Sequence, residues 1–190
     1  MTVKLCTRNG WLSMITAATL GILVNSIISQ EAIAATESPV ATAPLQCSED
    51  AHRRYTKTPT GYLVVLRKGD NAFQELTKLA LAEKVPSASL TGIGFGNVKF
   101  GFWNKDKKDF DAQTFQNVEM ASFTGSLAWK GDQPSIHLHG VAGDSSFQAH
   151  GGHILDFDVT TGSMEITVIV HDQHLERGID PCIGANVLGL

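Results

Sequence analysis

Residues 118–142, VEMASFTGSLAWKGDQPSIHLHGVA, contain two stretches with the composition of β-strands on either side of a polar turn at residues 130–134. Similar runs recur along the chain, again with polar turns between them. The predicted strands cover residues 62–66, 87–95, 98–103, 118–129, 135–142, 149–159 and 163–170. The sequence therefore predicts about seven strands.

One helix is predicted, directly after the first of these strands. Asp70 and Asn71 can cap its start, and Pro86 follows its end near Lys84. Its apolar positions follow the helical period and are Phe73, Leu76, Leu79, Ala80 and Ala82. Because each parallel strand pair needs a long crossover connection, one helix among about seven strands predicts an α+β fold with a largely antiparallel sheet.

The glycine-rich sequence at residues 92–96, GIGFG, has part of the spacing of a dinucleotide-binding loop. Such a loop must follow a strand and begin a helix, whose N-terminus holds the pyrophosphate. Residues 98–103 are instead another predicted strand. The glycines therefore predict a bend or a β-bulge within a sheet.

The N-terminus has the order of segments found in a secretory signal peptide. Lys4 and Arg8 precede an almost uncharged apolar stretch at residues 11–28, and the small-residue sequence Ala32-Ile33-Ala34 follows. Cleavage after residue 34 is expected. An uncleaved anchor helix is the alternative, because about 18 apolar residues is close to the minimum for a membrane span.

Cleavage divides the chain into a signal peptide at residues 1–34, a flexible arm at 35–60 and one domain at 61–190. The expected location is periplasmic or secreted, with no stable membrane anchor. Cys47 and Cys182 then remain, either as a disulfide, which persists in such a compartment, or as two free thiols.

The charge balance argues against nucleic acid as a partner. The chain of 190 residues has 15 basic and 19 acidic side chains, a formal net charge of −4. Binding to a phosphate backbone depends on clustered Lys and Arg, which this composition does not favour.

The strongest chemical signal is a group of histidines in neighbouring strands. His137 and His139 are two residues apart on one strand, so their side chains share a face. The turn near residues 143–147 brings the next strand back, which places His153 opposite the pair. Three neutral imidazoles suit Zn²⁺ or another divalent metal and leave one coordination position open.

His150 competes with His153 for the third position, because the two cannot share one face of a regular strand. Gly151 and Gly152 favour His153, since they allow a close approach or a bend just before it. A set of polar histidines on an exposed sheet face, without a metal, is the alternative for the whole group.

Two carboxylates are candidates for acid–base catalysis at such a metal. Glu119 and Glu165 lie inside strands that are otherwise largely apolar, where a carboxylate must be solvated, paired or close to a cation. Either is a candidate for a fourth ligand or for a general base acting on metal-bound water. Arg177 is a candidate for holding an anion.

From about Tyr62 to Leu190 the sequence resembles the plants-and-prokaryotes-conserved (PPC) domain. The resemblance rests on Leu66-Arg67, Thr91-Gly92-Ile93-Gly94, residues 119–125, His137-Leu138-His139, Gly151-Gly152-His153, residues 161–166 and residues 177–188. It implies a homotrimer of mixed α/β subunits with the three histidines as a metal site. Plant members are nuclear and carry an AT-hook; the sequence has no Arg-Gly-Arg-Pro hook, so their DNA role is not expected here.

The histidine blocks, His137-Leu138-His139 and Gly151-Gly152-His153, are also similar to those of acetolactate decarboxylase, a zinc lyase of related fold. Two functions are therefore expected as alternatives. One is an exported homotrimeric module that binds a small ligand or serves assembly, with a three-histidine zinc site. The other is a metal-dependent lyase or hydrolase acting on a small carbonyl or carboxylate compound.

Overall fold

A computed structural model describes residues 53–190 of the chain. The predicted signal peptide, the predicted arm as far as residue 52, and Cys47 lie outside the described residues. Cys182 is exposed. No helix within residues 53–190 has both the length and the apolar character needed to cross a membrane.

The described chain forms eight strands and one helix. In order along the chain these are β1 Tyr55–Thr58, β2 Gly61–Arg67, α1 Ala72–Glu83, β3 Ser87–Asn104, β4 Asp109–Lys130, β5 Gln133–Gly143, β6 Ala149–His171, β7 Arg177–Ile179 and β8 Asn186–Leu188.

The fold is mostly β. Six strands form one sheet in the order β1-β2-β6-β3-β4-β5, and β7 and β8 form a separate two-stranded sheet. Every paired strand in both sheets is antiparallel, which confirms the predicted pairing and the single helix. The α+β description with about seven strands needs correction, because eight strands and one twelve-residue helix make this a predominantly β domain.

The strand count differs because two pairs of predicted strands are each one long strand, while β1, β7 and β8 match none of the predicted strands. Residues 87–95 and 98–103 are continuous in β3, and residues 149–159 and 163–170 are continuous in β6. In addition, β1 lies within the segment predicted as a flexible arm and pairs with β2 from Tyr55↔Val64 to Thr58↔Gly61. Polar or glycine-rich residues within a long strand look like turns in sequence. In β6, Gly162 adopts a positive φ of 76°, yet the strand continues on both sides of it.

The glycines at residues 92–96 form the predicted bulge. The pairing of β3 with β4 shifts register between Gly92 and Gly94, and its pairing with β6 shifts between Gly94 and Gly96. A Cβ on Gly96 would collide with the backbone carbonyl of Asp158. The glycines therefore let β3 and β6 approach closely where the ladder is irregular.

The helix covers the main apolar core. Asn71 caps α1, its side chain accepting a hydrogen bond from the Gln74 backbone N–H at 3.1 Å. The helix buries four residues, Ala72, Leu76, Leu79 and Ala80, against a core that includes Leu66, Met164 and Ile166. The sheet is thereby fixed on one side by helix packing.

Four strands of the same sheet, β3, β4, β5 and β6, close into a ring of pairings. β6 pairs with β3 and also with β5, while β4 pairs with both β3 and β5. The ring contains the first part of β6, where residues Ala149–Ile154 pair with β5. This closure brings two histidine-bearing strands directly side by side.

Candidate metal centre

Strand register brings three histidines together. His137 and His139 lie on one face of β5, while Leu138 between them is only 2% exposed and belongs to the core. His139 is the direct cross-strand partner of His153 on β6. One ligand nitrogen from each of the three rings lies within 4.8 Å of the others. The convergence predicted from strand spacing is present.

The three rings pack against one another. The ring centroids are 5.0 Å apart for His137 and His139, 4.7 Å for His137 and His153, and 5.1 Å for His139 and His153. Phe110 stacks on the His153 ring, with centroids 4.4 Å apart and planes 26° from parallel. The His153 ring is therefore fixed by an aromatic contact on one side and by imidazoles on the other.

Burial and neighbouring positive charge favour neutral imidazoles. Burial is the main cause that lowers the pKa of His153, to about 4, and His137, His139 and Arg177 lower it further. Burial also lowers the pKa of His137, helped by Arg177 and His139. Both rings are consequently uncharged near neutral pH, the state in which imidazole binds a metal.

Arg177, at the start of β7, is packed against this group. Its side chain is 6% exposed, and it donates hydrogen bonds to Ser126 Oγ at 2.6 Å and to His137 Nδ1 at 3.3 Å. A guanidinium can only donate, so this contact places the ring proton of neutral His137 on Nε2. That Nε2–H then donates to His139 Nε2 at 3.0 Å.

A large cavity opens beside the histidines. Its volume is about 790 Å³, and the three histidines, Arg177 and Lys108 lie in its wall. The remaining wall is largely apolar or glycine and comes from β3, β4, β5, β6 and the β7–β8 sheet. The histidine face is therefore open to a small molecule rather than enclosed in the core.

His150 takes no part in the histidine group. Its Nε2 contacts Asp144 Oδ2 at 2.8 Å across the β5–β6 turn, and its ring stacks on Phe115 with centroids 4.2 Å apart. Its cross-strand partner is Ala142, three positions from His139. The pairing of β5 and β6 therefore brings His153, and not His150, to His137 and His139.

Glu119 and Glu165 are not brought to the histidines. Both are exposed, and neither lines the cavity. Glu165 pairs with Val65 and Ile93, far along β6 from His153, and Glu119 pairs with Phe95 and Gly143. Solvent on the outer sheet surface hydrates these carboxylates, so their position within apolar strands needs no metal.

Several residues at the site are invisible to motif analysis. Phe110 and Ser126 contact the group but belong to no recognisable pattern, and Lys108 reaches the cavity from the β3–β4 turn. The β7–β8 sheet contributes wall residues because the segment just before β7 is hydrogen bonded to the end of β4. The Trp129 backbone N–H donates to the Leu175 carbonyl at 2.9 Å. Such tertiary contacts, among them the Arg177–Ser126 hydrogen bond, place the C-terminal segment at the cavity.

Comparison with known proteins identifies the family. Residues 53–172 match the model of the Plants and Prokaryotes Conserved (PCC) domain. This is the family abbreviated PPC in the sequence analysis. The chain belongs to the PCC domain family. Among curated proteins, no sequence matches this PCC-domain chain.

Solved structures support the assignment. A "Putative DNA-binding protein" from Ralstonia eutropha JMP134 is 57% identical, with a TM-score of 0.71, over 72% of this chain and 96% of that one. A metal-containing protein from Archaeoglobus fulgidus is 20% identical, with a TM-score of 0.62, over 72% and 98% of the two chains. The likeness to the Archaeoglobus protein shows that the two chains share a fold.

Acetolactate decarboxylase is also among the matched structures. The enzyme from Bacillus subtilis subspecies spizizenii is 15% identical, with a TM-score of 0.46, and the match covers 63% of this chain and 55% of that one. A likeness of this size supports no statement about the activity of the PCC-domain protein.

Proposed function

We propose that this protein binds a divalent metal ion, with zinc as the first candidate, through His137, His139 and His153. In this proposal it is an exported homotrimeric module that binds a small ligand at the open coordination position. The observation that carries the proposal is the convergence of three imidazole nitrogens within 4.8 Å of one another at the wall of an open cavity.

The donor set fits such an ion. Zinc lies about 2.0–2.1 Å from an imidazole nitrogen, so two nitrogens on one ion are at most about 4.2 Å apart. The Nε2 atoms of His137 and His139 are 3.0 Å apart, and the third nitrogen, which lies within 4.8 Å of the other two, must move closer by at most about 0.6 Å. Binding through Nε2 of His137 requires its proton to shift to Nδ1, which releases the Arg177 contact.

When bound, the metal would supply a Lewis acid facing the cavity. The chain's own residues would hold and orient it: Leu138 anchors β5 in the core, Phe110 fixes the His153 ring, and burial keeps His137 and His153 neutral. These features favour a preformed site over a fortuitous group of surface histidines.

Ligand binding without turnover is favoured over catalysis by the composition of the cavity wall. Among residues 53–190, no Asp or Glu lines the cavity, so this part of the chain offers no carboxylate for proton transfer at the wall. The alternative, a metal-dependent lyase or hydrolase acting on a small carbonyl or carboxylate compound, is favoured by the open cavity and by Arg177 beside the histidines.

The other parts of the proposal have separate support. Export is supported by the basic, apolar and small-residue segments at residues 1–34. Self-association is supported by exposed apolar side chains on the outer sheet, including Leu63, Ile93 and Ile169 at 39%, 54% and 42% exposure. DNA binding, named for the Ralstonia protein, is disfavoured by this chain's net charge of −4.

Metal analysis of the purified protein tests the proposal. We expect one zinc ion per chain and a loss of zinc from His137→Ala, His139→Ala and His153→Ala. Structural sites with four ligands bind zinc with a free energy of about 10–16 kcal/mol, which is about 3 kcal/mol for each ligand. Removal of one ligand should therefore weaken zinc binding more than about 100-fold.

His150→Ala and His174→Ala are the matched controls, because these histidines lie outside the group, and they should retain full zinc content. Wild-type zinc content in His153→Ala would contradict the proposed site. Sedimentation analysis should show a trimer for the wild type. If zinc is lost from the variants while the trimer and the melting temperature persist, a purely structural role for the metal is ruled out.

A further inference from the structure

The charges around the cavity are of one sign. Arg177 and Lys108 line it, whereas no Asp or Glu of the described residues does, although the whole chain carries more acidic than basic side chains. Lys108 forms no ion pair within residues 53–190, and its side chain lies over Gly184 of the β7–β8 turn. The cavity is therefore a local positive region in an acidic protein.

Within the part of the chain that the structure describes, Arg177 is a buried cation without a counter-ion. Its side chain is 6% exposed, and no carboxylate of the described residues lies within ion-pair distance. Its hydrogen bonds go to neutral partners, Ser126 and His137, and its Nε–H is enclosed without an acceptor. Burial of an uncompensated guanidinium is costly, so an anion placed beside it would be strongly favoured.

The rest of the wall suits an apolar ligand body. Strands β3, β4, β5, β7 and β8 contribute aromatic and aliphatic side chains to the wall: Phe102, Trp103, Phe110, Ile136, Ile179 and Val187. Phe102 is 80% exposed, which is unusual for so large an apolar side chain. A volume of about 790 Å³ is in the range of sites for small organic molecules.

We propose that the cavity binds a small organic carboxylate with an apolar body, and that Arg177 is the residue that binds its anionic group. This deepens the proposed small-ligand function and rests on it, but the Arg177 contact does not depend on a bound metal. Lys108 adds a second, solvent-exposed positive charge at the cavity and attracts the anion more weakly because of screening.

Calorimetric titration with sodium benzoate and with benzamide tests this inference. The two probes share a ring and a similar size, but only benzoate is charged. Metal-free full-length protein, prepared with a chelator, should bind benzoate at least about tenfold more tightly than benzamide, because hydrogen bonds to charged groups are the stronger ones. No saturation by benzoate at about 10 mM, where a millimolar site is mostly filled, would overturn the inference.

Variants assign the contact to Arg177. Arg177→Gln keeps a donor for Ser126 but removes the charge, and it should weaken benzoate binding at least about tenfold while leaving benzamide binding unchanged. Lys108→Gln should weaken benzoate about two- to threefold. Lys68→Gln, an exposed lysine outside the cavity wall, should have no effect and is the matched control. Unchanged benzoate affinity in folded Arg177→Gln would overturn the assignment.

If Arg177→Gln fails to fold, the difference between benzoate and benzamide in the wild type and in Lys108→Gln still decides the question. A zinc titration of the same preparations separates the two proposals. Benzoate binding without zinc binding would overturn only the metal site. Zinc binding with equal affinity for benzoate and benzamide in the metal-free protein would overturn only the inference drawn here.

Discussion

The two halves of β6 differ in how regularly their side chains alternate. In the second half, Met164, Ile166 and Val168 are buried while Glu165 and Thr167 between them are exposed. In the first half, Ile154 and Phe157 are both buried although they are three residues apart. The same strand therefore follows strict two-residue periodicity at one end and loses it at the other.

A bulge accounts for the difference. The pairing of β3 with β6 shifts between Lys99 and Phe100, so Asp156 and Ile154 face successive residues of β3 and Leu155 is the extra residue. Unbroken alternation from Phe157 would turn residue 153 toward the core. Because the bulge reverses the alternation, Ile154 is buried and His153 faces the cavity instead. The regular half thus builds the core, and the irregular half builds the site.

A core substitution in the regular half tests this separation most strongly. Ile166 is completely buried, so Ile166→Ala should lower the free energy of unfolding by about 2–5 kcal/mol, measured by urea denaturation. Thr167→Ala, at the exposed neighbouring position, should change it by less than about 0.5 kcal/mol. Folded Ile166→Ala should retain the wild-type zinc content, and a loss of zinc with unchanged stability would contradict the division of β6 into two functional halves.

Acidification should lower the free energy of unfolding through His153, which lies in the irregular first half of β6. The pKa of His153 is lowered to about 4 in the folded protein, so the unfolded chain binds the proton more readily. This contribution to stability is complete above pH about 6.5 and is lost as the pH falls toward about 4. Metal-free protein should lose about 1–2 kcal/mol of unfolding free energy over that range, after allowance for solvent screening.

His153→Gln should flatten this pH dependence in urea denaturation curves collected across the same range. His137, whose pKa is also lowered, accounts for the part that remains. Parallel curves for the wild type and His153→Gln would show that His153 does not titrate as its burial requires.

The smallest expected effect concerns the aromatic contacts that hold two histidines of the irregular half. Phe110→Leu removes the stacked ring from His153, and zinc affinity should fall about two- to tenfold, since such ring pairs contribute about 0.5–1.5 kcal/mol. Competition with a chromogenic chelator measures this change. Phe115→Leu removes the equivalent ring from His150, which lies outside the metal group, and should leave zinc affinity unchanged. Equal losses in both variants would indicate a general loosening of the sheet.

Local patterns predicted those features that depend on near neighbours in the chain. The period of α1, its Asn71 cap and the glycine bulge in β3 follow from residue type and spacing alone. The shared face of His137 and His139 follows from strand geometry in the same way. The merging of predicted strands into β3 and β6 did not follow, because a glycine or a polar residue inside a strand resembles a turn when its partners are unknown.

Carboxylate and cation candidates show why single residues are harder to place. Glu119 and Glu165 looked functional because their neighbours are apolar, but an exposed sheet face satisfies them with water. Arg177 was a candidate for holding an anion, but its burial beside His137 was not predicted, because it arises from a contact between β7 and strands about 40 residues earlier. Burial depends on such distant contacts, which sequence spacing does not report.

By itself, the sequence determined the single helix, the antiparallel sheet and the pair of histidines that share one face of a strand. These features depend on backbone periodicity, which is a local property. The sequence also predicted His153 opposite this pair, with His150 as its competitor, and tertiary structure decided between the two through the register of β5 and β6. Tertiary structure alone decided that a bulge turns His153 away from the core and that Arg177 is enclosed with no counter-ion among residues 53–190. Register and burial are set by contacts between distant segments, because only the packed sheet determines which faces meet.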